Sequence, residues 1–263
     1  MADTILSCSH VTKRFVSRGR TTDVLSDIGL VVHSGQTVVI RGRSGTGKST
    51  LLQLLAGLDH PTAGQVEIAG RNLADLGTRE LTILRRRIIG FIFQNFNLIS
   101  SWTAGENVEA ALLHTPLTRP GRHRKVCEML EKLELSDRID HLPSELSVGQ
   151  QQRVAIARAL IHGPAIVFAD EPTGDVDPET AKAILETLAR LVRENQTAFV
   201  ICTHGEFTLA TADQRYRLHD GGIESVSSEP PLNLTRQSCG NVTRDPETDF
   251  ANGRKGVRTS QSK

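Results

Sequence analysis

Residues 42–49 read Gly42-Arg43-Ser44-Gly45-Thr46-Gly47-Lys48-Ser49, and this stretch decides the fold. It follows the apolar run 37–40 and precedes residues 50–56, whose composition favours a helix. The glycines let the backbone turn its N–H groups inward, where the helix N-terminus adds partial positive charge. The sequence therefore predicts a phosphate-binding loop between a buried strand and a helix. A Gly- and Ser-rich surface turn is the alternative, which this context disfavours.

The side chains of this loop fit a nucleotide bound with a divalent cation. Lys48 is predicted to reach the β- and γ-phosphates as a point charge. The Ser49 hydroxyl is predicted to ligate the Mg²⁺ ion that bridges them. The predicted contacts to the nucleotide are Gly42, Arg43, Ser44, Gly45, Thr46, Gly47, Lys48, Ser49 and Thr50.

Composition excludes several other classes of protein. The 263 residues are 38% hydrophobic and 23% charged, with a net charge of +1, so no overall field favours nucleic acid. The basic clusters 85–87 and 119–125 fit solvated helix faces. Four scattered cysteines without a close pair indicate a reducing compartment. We expect no secretion signal and no membrane span, because no apolar run approaches the roughly 18 residues that a span needs.

Two carboxylates follow the predicted buried strand at residues 165–169. The apolar run 165–169 ends at Asp170 and Glu171. Asp170 could ligate a metal through water, and Glu171 could orient or deprotonate an attacking water. Adjacent carboxylates at a strand end are often only solvated, but a phosphate loop in the same chain favours a catalytic pair.

Two more polar residues end predicted buried strands. His204 follows the run 197–202, and Gln94 follows the run 89–93. The strand before His204 is predicted to lie beside the strands that carry the phosphate loop and Asp170. Because ligands bind at the carboxyl ends of such strands, we expect His204 at the same site.

The remaining segments have recognisable periodicity. Residues 4–11, 24–32 and 65–70 are predicted to form an antiparallel flap. Phe15, between the first two strands, could stack on adenine or simply belong to the core. Residues 78–87 are predicted to be helical. The last antiparallel pair is predicted over 214–218 and 222–226.

Helical spacing marks an insertion at about 95–150, interrupted at Pro116 and at Pro120-Gly121. Ser147 is a predicted N-cap for the helix that follows. The domain is expected to span 1–228. Residues 229–263 are expected to form a disordered polar tail, since they contain few apolar residues and no period.

The order of these motifs resembles that of the nucleotide-binding subunit of ATP-binding cassette (ABC) transporters. The segment Leu146-Ser147-Val148-Gly149-Gln150, a short helix ahead of Asp170-Glu171, is the most specific mark. The resemblance covers residues 4 to about 226. It implies an α/β fold: a P-loop NTPase (RecA-like) core sheet with an antiparallel β subdomain and an inserted α-helical subdomain.

The resemblance also implies residue roles for ATP hydrolysis with Mg²⁺. The catalytic residues would be Glu171, His204 and Gln94. Ser49, Gln94 and Asp170 would serve Mg²⁺, and Phe15 would stack on adenine. A homodimer would enclose two ATP molecules, each also contacted from the opposite subunit by Ser147, Gly149, Gln150 and Asp177.

Within the family, Glu106-Asn107-Val108 and Glu171-Pro172-Thr173-Gly174 are similar to the branch of lipoprotein release, macrolide efflux and cell division. That branch implies an integral-membrane permease with a large extracytoplasmic domain, and a peripheral position on the cytoplasmic face of the inner membrane. A groove after Gln94 would receive a permease helix, with Phe96 or Leu98 as the apolar contact.

Two alternatives remain beside the transporter. A soluble non-transport ABC ATPase of translation or DNA repair usually carries tandem cassettes or a long coiled-coil insertion, and this chain has neither. A non-catalytic cassette would lack Lys48, Glu171 or His204, all of which are present. The sequence does not indicate the cargo, because the permease selects it.

Overall fold

Two β-sheets and six α-helices organise the part of the chain that the computed structural model describes, residues 3–17, 19–174, 176–204 and 212–226. The strands are β1 (Thr4–Ser17), β2 (Arg20–His33), β3 (Thr37–Arg41), β4 (Ala63–Ile68), β5 (Arg71–Asn72), β6 (Ile89–Ile92), β7 (Ile166–Asp170), β8 (Ala198–Thr203), β9 (Gln214–His219) and β10 (Gly222–Ser225). The helices are α1 (Lys48–Leu55), α2 (Thr78–Ile88), α3 (Ala104–Glu109), α4 (Arg119–Lys132), α5 (Val148–Leu160) and α6 (Pro178–Glu194). The predicted tail, 229–263, lies outside the described residues.

The smaller sheet is antiparallel, with the strand order β2-β1-β4-β5. Its first two strands are longer than predicted, because pairing continues through the polar end of the hairpin to Ser17 and Arg20. Arg14 Nε lies 2.5 Å from Asp23 Oδ1 across this hairpin. The predicted ends at residues 11 and 24 were therefore wrong: polar side chains can occupy a strand wherever both of its faces meet solvent.

The larger sheet has the order β10-β9-β3-β8-β7-β6. Strands β9, β3, β8, β7 and β6 run parallel, and β10 pairs antiparallel with β9. The structure thus confirms that β8 lies between the strand before the phosphate loop and the strand ending at Asp170. The predicted last hairpin is also present, and its first strand joins the core sheet beside β3.

The core sheet is covered on both faces, which explains its nearly continuous apolar strands. Along β3, Val38 and Ile40 pack in a cluster with the antiparallel sheet and α1. Val39, between them, packs in a second cluster with α3, α4, α5 and α6. The period of two in a strand sends successive side chains to the two sides.

The segment between β6 and α5 is helical, as predicted, and the predicted interruption at Pro116 is confirmed, but the one at Pro120-Gly121 differs. Pro120 lies in the first turn of α4, where its missing N–H removes no helix hydrogen bond. Thr118 caps this helix, since its hydroxyl oxygen accepts from Gly121 N at 3.4 Å. The predicted break at Pro120-Gly121 was therefore wrong: it is a helix start.

The helices of the described ranges are short or carry many charged side chains. None of them is both long enough and apolar enough to cross a bilayer.

A buried asparagine organises the loop before α3. Asn107, 1% exposed, accepts a hydrogen bond from Ile99 N at 2.7 Å. Its amide group also donates to the carbonyls of Ile99, Trp102 and Thr103 at 3.0–3.1 Å. One side chain thus contacts four backbone groups of the loop, two of which, Ile99 O and Thr103 O, also accept from backbone N–H groups.

Asn107→Ala should destabilise the fold by about 2–4 kcal/mol, because it removes a buried amide and with it the side-chain partners of Ile99 N and Trp102 O. Urea unfolding monitored by circular dichroism measures this loss. Glu128→Ala, at an exposed position of α4, is the matched control and should stay within about 0.5 kcal/mol of wild type. Equal stability of the Asn107→Ala variant and the wild type would contradict the assignment.

Candidate active site

Four neighbouring parallel strands deliver polar groups to one edge of the core sheet. Arg41 is in register with Thr203, Cys202 with Asp170, and Ala169 with Ile92. The residues that follow these positions therefore leave the sheet side by side. They include Gly42, Gln94, Glu171 and His204, as the sequence predicted.

Two glycines of the phosphate loop are required by space, and Gly47 is also required by its backbone conformation. A Cβ on Gly42 would lie 2.6 Å from Thr46 Oγ1 and 2.8 Å from Leu218 O. Gly47, at the N-terminus of α1, has φ 97°, and its Cβ would lie 2.9 Å from Val24 Cγ1. Strands β2 and β9 thus pack closely against the loop. This packing cannot be predicted from the loop motif alone.

Lys48 is buried under its own loop, with 5% of the residue exposed. Its ammonium donates to the carbonyls of Gly42 at 2.9 Å and Arg43 at 3.0 Å. The same nitrogen lies 3.1 Å from Glu171 Oε1. The cation is therefore held at the centre of the strand-end cluster.

Glu171 connects three strand ends. Its carboxylate is 8% exposed and, besides Lys48, accepts from His204 N at 3.3 Å and contacts His204 Nδ1. Its backbone N donates to Cys202 O at 2.9 Å, and its φ of 46° lies in the left-handed region. Such a conformation is uncommon for a residue with a long side chain, and it clusters at functional sites.

Asp170 presents a buried oxygen suited to a metal ion. It is 7% exposed, and its Oδ1 has no hydrogen-bond partner among the residues that the structure describes. Burial raises the pKa of Asp170, while a hydrogen bond from Ser49 acts in the opposite direction. A carboxylate and a hydroxyl are hard oxygen ligands, so this pair fits a divalent cation such as Mg²⁺.

Gln94 lies exposed in the turn after β6. The loop that follows it is hydrogen-bonded to helix α5. Phe96 and Asn97 have φ values of 59° and 48°. Arg158 of α5 donates to both of their carbonyls, at 2.5 and 2.6 Å. Sequence reasoning missed Arg158. The available signal was a lone arginine within the otherwise buried apolar run 154–161 of α5.

The predicted contacts to an opposite subunit lie at the N-termini of two adjacent helices. Ser147 caps α5, as predicted, since its hydroxyl accepts from Gln150 N at 3.3 Å and Gln150 Oε1 accepts from Ser147 N at 2.9 Å. Asp177 caps α6 by accepting from Thr180 N at 3.0 Å. A Cβ on Gly149 would lie 2.9 Å from Thr180 Cγ2, so the two helix starts are closely packed.

Phe15 is not a core residue. It lies within β1, paired with Thr22, and 45% of it is exposed. The core alternative was therefore wrong, and the ring is accessible to a planar ligand. Lys13, which the sequence did not single out, places its ammonium 5.1 Å from the ring centroid.

Comparison with known proteins agrees with this geometry. The family model described as ABC transporter matches residues 25–174, more than half of the chain. The chain belongs to the ABC transporter family. This confirms the resemblance found in the sequence motifs, and with it the P-loop NTPase fold.

Two curated relatives place this ABC ATPase beside export and lipoprotein-release proteins. It is 39% identical over 227 residues to the lipoprotein-releasing system ATP-binding protein LolD of Hahella chejuensis, covering 86% of this chain and 98% of that protein. It is 42% identical over 219 residues to the macrolide export ATP-binding/permease protein MacB of Salmonella choleraesuis, covering 83% of this chain. The chain spans 34% of the length of that MacB protein.

A solved structure matches the whole cassette. It is a dimeric post-hydrolysis state of the ATP-binding cassette MJ0796 bound to ADP and Pi. The TM-score is 0.79 at 37% identity, covering 86% of this chain and all of that one.

Asp170→Asn should stabilise the metal-free protein by about 0.5–2 kcal/mol at pH 7. The pKa of Asp170 is higher in the folded state than in the unfolded chain, so folding is favoured by the protonated carboxyl. This contribution of protonated Asp170 to the free energy of unfolding is lost as the pH rises through the folded-state pKa. The advantage of the amide should therefore shrink as the pH falls toward 4. Urea unfolding with a chelator at both pH values measures it, with Asp140→Asn at an exposed site as the control. A less stable variant at pH 7 would contradict the argument.

Proposed function

We propose that two copies of this chain bind and hydrolyse ATP at their interface and drive an integral-membrane permease of the macrolide-export or lipoprotein-release type. The observation that carries the proposal is the contact of Lys48 and His204 with one buried carboxylate, Glu171, at the carboxyl edge of the core sheet. A phosphate-binding cation and a candidate general base are thereby brought within one side-chain length of each other.

The phosphate loop would hold the nucleotide. The backbone of residues 42–47 turns at the start of α1, whose N-terminus favours anions. Lys48 would exchange its contacts with loop carbonyls and Glu171 for the phosphate oxygens. The γ-phosphate would then lie next to Glu171.

Glu171 would orient the attacking water and accept its proton, because it is the carboxylate closest to the phosphate-binding lysine. His204 would hold Glu171 in place and contact the γ-phosphate, since its side chain lies against Oε2 and is 56% exposed.

Ser49 and Asp170 would hold Mg²⁺, with Gln94 as a further oxygen ligand from the adjacent strand. The unpartnered Asp170 oxygen supports this assignment, because a buried polar atom needs a partner and a cation or its water supplies one. Bound Mg²⁺ neutralises charge on the β- and γ-phosphates.

The second subunit would complete each site. Ser147 and Asp177 are exposed at the ends of α5 and α6, and Gly149 and Gln150 are half-buried beside them. Helix N-termini suit phosphate contacts across an interface. The dimeric structure of the similar cassette MJ0796, bound to ADP and Pi, supports this arrangement.

The relatives favour transport over the soluble alternative, since proteins named for macrolide export and lipoprotein release align over most of the chain. A peripheral position at the cytoplasmic face of the inner membrane follows from such a permease. No nucleic-acid partner is proposed, because the net charge is +1.

Glu171→Gln should keep ATP binding and lower hydrolysis by about 100-fold or more, because the amide has no basicity. The variant should accumulate as an ATP-bound dimer in size-exclusion chromatography with Mg²⁺, since hydrolysis is the exit step. Lys48→Ala should instead lose roughly 10- to 100-fold in ATP affinity. A phosphate-release assay and calorimetry separate the two effects.

The matched control is Glu179→Gln, at an exposed position in the first turn of α6. It should hydrolyse ATP at the wild-type rate. Wild-type turnover by Glu171→Gln would overturn the role of Glu171.

A cavity of about 270 Å³ lies beside α3 and the start of α4, in the region proposed to receive the permease. The predicted contacts Phe96 and Leu98 are both half-buried, and Leu98 packs against the core, whereas Leu113 is 59% exposed. The residues lining the cavity combine apolar and charged side chains: Trp102, Glu106, Glu109, Ala110, Leu113, Arg119 and Arg122. Such a rim fits a short amphipathic helix.

Leu113→Asp should abolish co-purification with the permease and its stimulation of ATP turnover, while basal turnover stays within about two-fold of wild type. The substitution puts a charge where an apolar side chain would be buried. Leu142→Asp, at another exposed leucine, is the control. Undiminished co-purification of Leu113→Asp would place the permease elsewhere.

A further inference from the structure

We propose that Lys13 is a positioning residue for the adenine base, holding the ring of Phe15 in the orientation that stacks on it. The inference rests on the proposed function, in which Phe15 is the stacking surface. The supporting contact is the Lys13 ammonium over the Phe15 ring, 5.1 Å from its centroid. A cation over one face leaves the opposite face for a planar base.

The pairing of β1 with β2 is irregular on both sides of Lys13. The pairing of β1 with β2 shifts register between Val11 and Lys13, and again between Lys13 and Arg14. Register shifts of this kind re-aim side chains at functional edges of sheets. Lys13 and Phe15 are two residues apart on β1, so the period of two in a strand puts both side chains on one face, where the ammonium meets the ring.

Lys13 is itself fixed from a third side. Its side chain is only 12% exposed, and its ammonium lies 2.7 Å from Asp59 Oδ2 and donates to His60 O at 2.7 Å. Three groups therefore surround this nitrogen: a carboxylate, a carbonyl and an aromatic ring. A solvated surface lysine would have no comparable set of contacts.

The residues that hold Lys13 are attached to the phosphate-loop helix. The backbone N of Leu58 and that of Asp59 both donate to Gln53 O of α1, at 2.8 and 3.2 Å. Thr62 N donates to Thr12 O at 2.8 Å, next to Lys13 on β1. These contacts connect the phosphate loop to the ring of Phe15 through α1, the turn at residues 58–62 and Lys13, and thereby fix the distance between the two.

This arrangement would pre-organise the stacking surface. A half-exposed phenylalanine without support has several accessible rotamers, and ordering one of them on binding costs affinity. With Lys13 over one face, that ordering is complete before the nucleotide arrives. Lys13 thereby contributes to recognition of the base and not to recognition of the phosphates.

The test compares a ligand that has a base with one that lacks it. Dissociation constants for ADP and for inorganic pyrophosphate, both with Mg²⁺, are measured by calorimetry on the full chain. Lys13→Met keeps the length of the side chain and removes the charge. It should weaken ADP binding by about three- to ten-fold and leave pyrophosphate binding unchanged. Lys13→Arg, which keeps a cation over the ring, should bind ADP like wild type.

A double-mutant cycle with Phe15→Ala shows whether Lys13 acts through the ring. The double variant Lys13→Met/Phe15→Ala should bind ADP no more weakly than Phe15→Ala alone. Asp59→Asn, which keeps Lys13 but loosens its ammonium, is a second route if Lys13→Met folds poorly. It should weaken ADP binding alone.

Three results would overturn the inference about Lys13 without affecting the proposed function. The first is equal weakening of ADP and pyrophosphate binding, and the second is additive losses in the double-mutant cycle. The third is wild-type ADP binding by both Lys13→Met and Asp59→Asn. Wild-type ADP binding by Phe15→Ala has a different meaning. It would overturn the adenine role of Phe15 in the proposed function, and the inference with it.

Discussion

The carboxylate of Glu171 contacts Lys48 and His204, and these three side chains belong to segments that are far apart in the chain. Lys48 begins α1 after β3, Glu171 follows β7, and His204 follows β8. Their meeting requires β3, β8 and β7 to be adjacent, parallel and in the observed register. A buried carboxylate is tolerated only when paired and hydrogen-bonded, so the cluster and the sheet order depend on each other.

Residues whose chemistry is local were predictable from the sequence. The phosphate loop is a contiguous motif, and Asp170, Glu171, Gln94 and His204 each end an apolar strand. Parallel strands align such ends at one edge, so the candidate site could be assembled without knowing side-chain contacts. The N-cap at Ser147 was predictable for the same reason, since capping involves residues three positions apart.

Contacts between distant segments were not predictable in this way. The pairing of β9 with β3 and the support of Lys13 by Asp59 depend on elements that meet only in the folded chain. The hairpin end of β1 and β2 is polar, so apolar alternation ends before the strands do. Pro120 was misassigned because a proline that breaks a helix and one that starts a helix look alike without the cap.

Arg158 links helix α5 to the loop after Gln94 through two hydrogen bonds, and this link has a mechanical consequence. The helix starts beside Ser147, and Arg158 lies ten residues after Val148, or roughly 15 Å along an axis that rises 1.5 Å per residue. At that point it holds the carbonyls of Phe96 and Asn97, just beyond Gln94. An α-helix resists compression and bending over three turns, so the two ends move together. We therefore expect a displacement of the loop at one end to move the exposed N-terminus at the other end with it, as one rigid body.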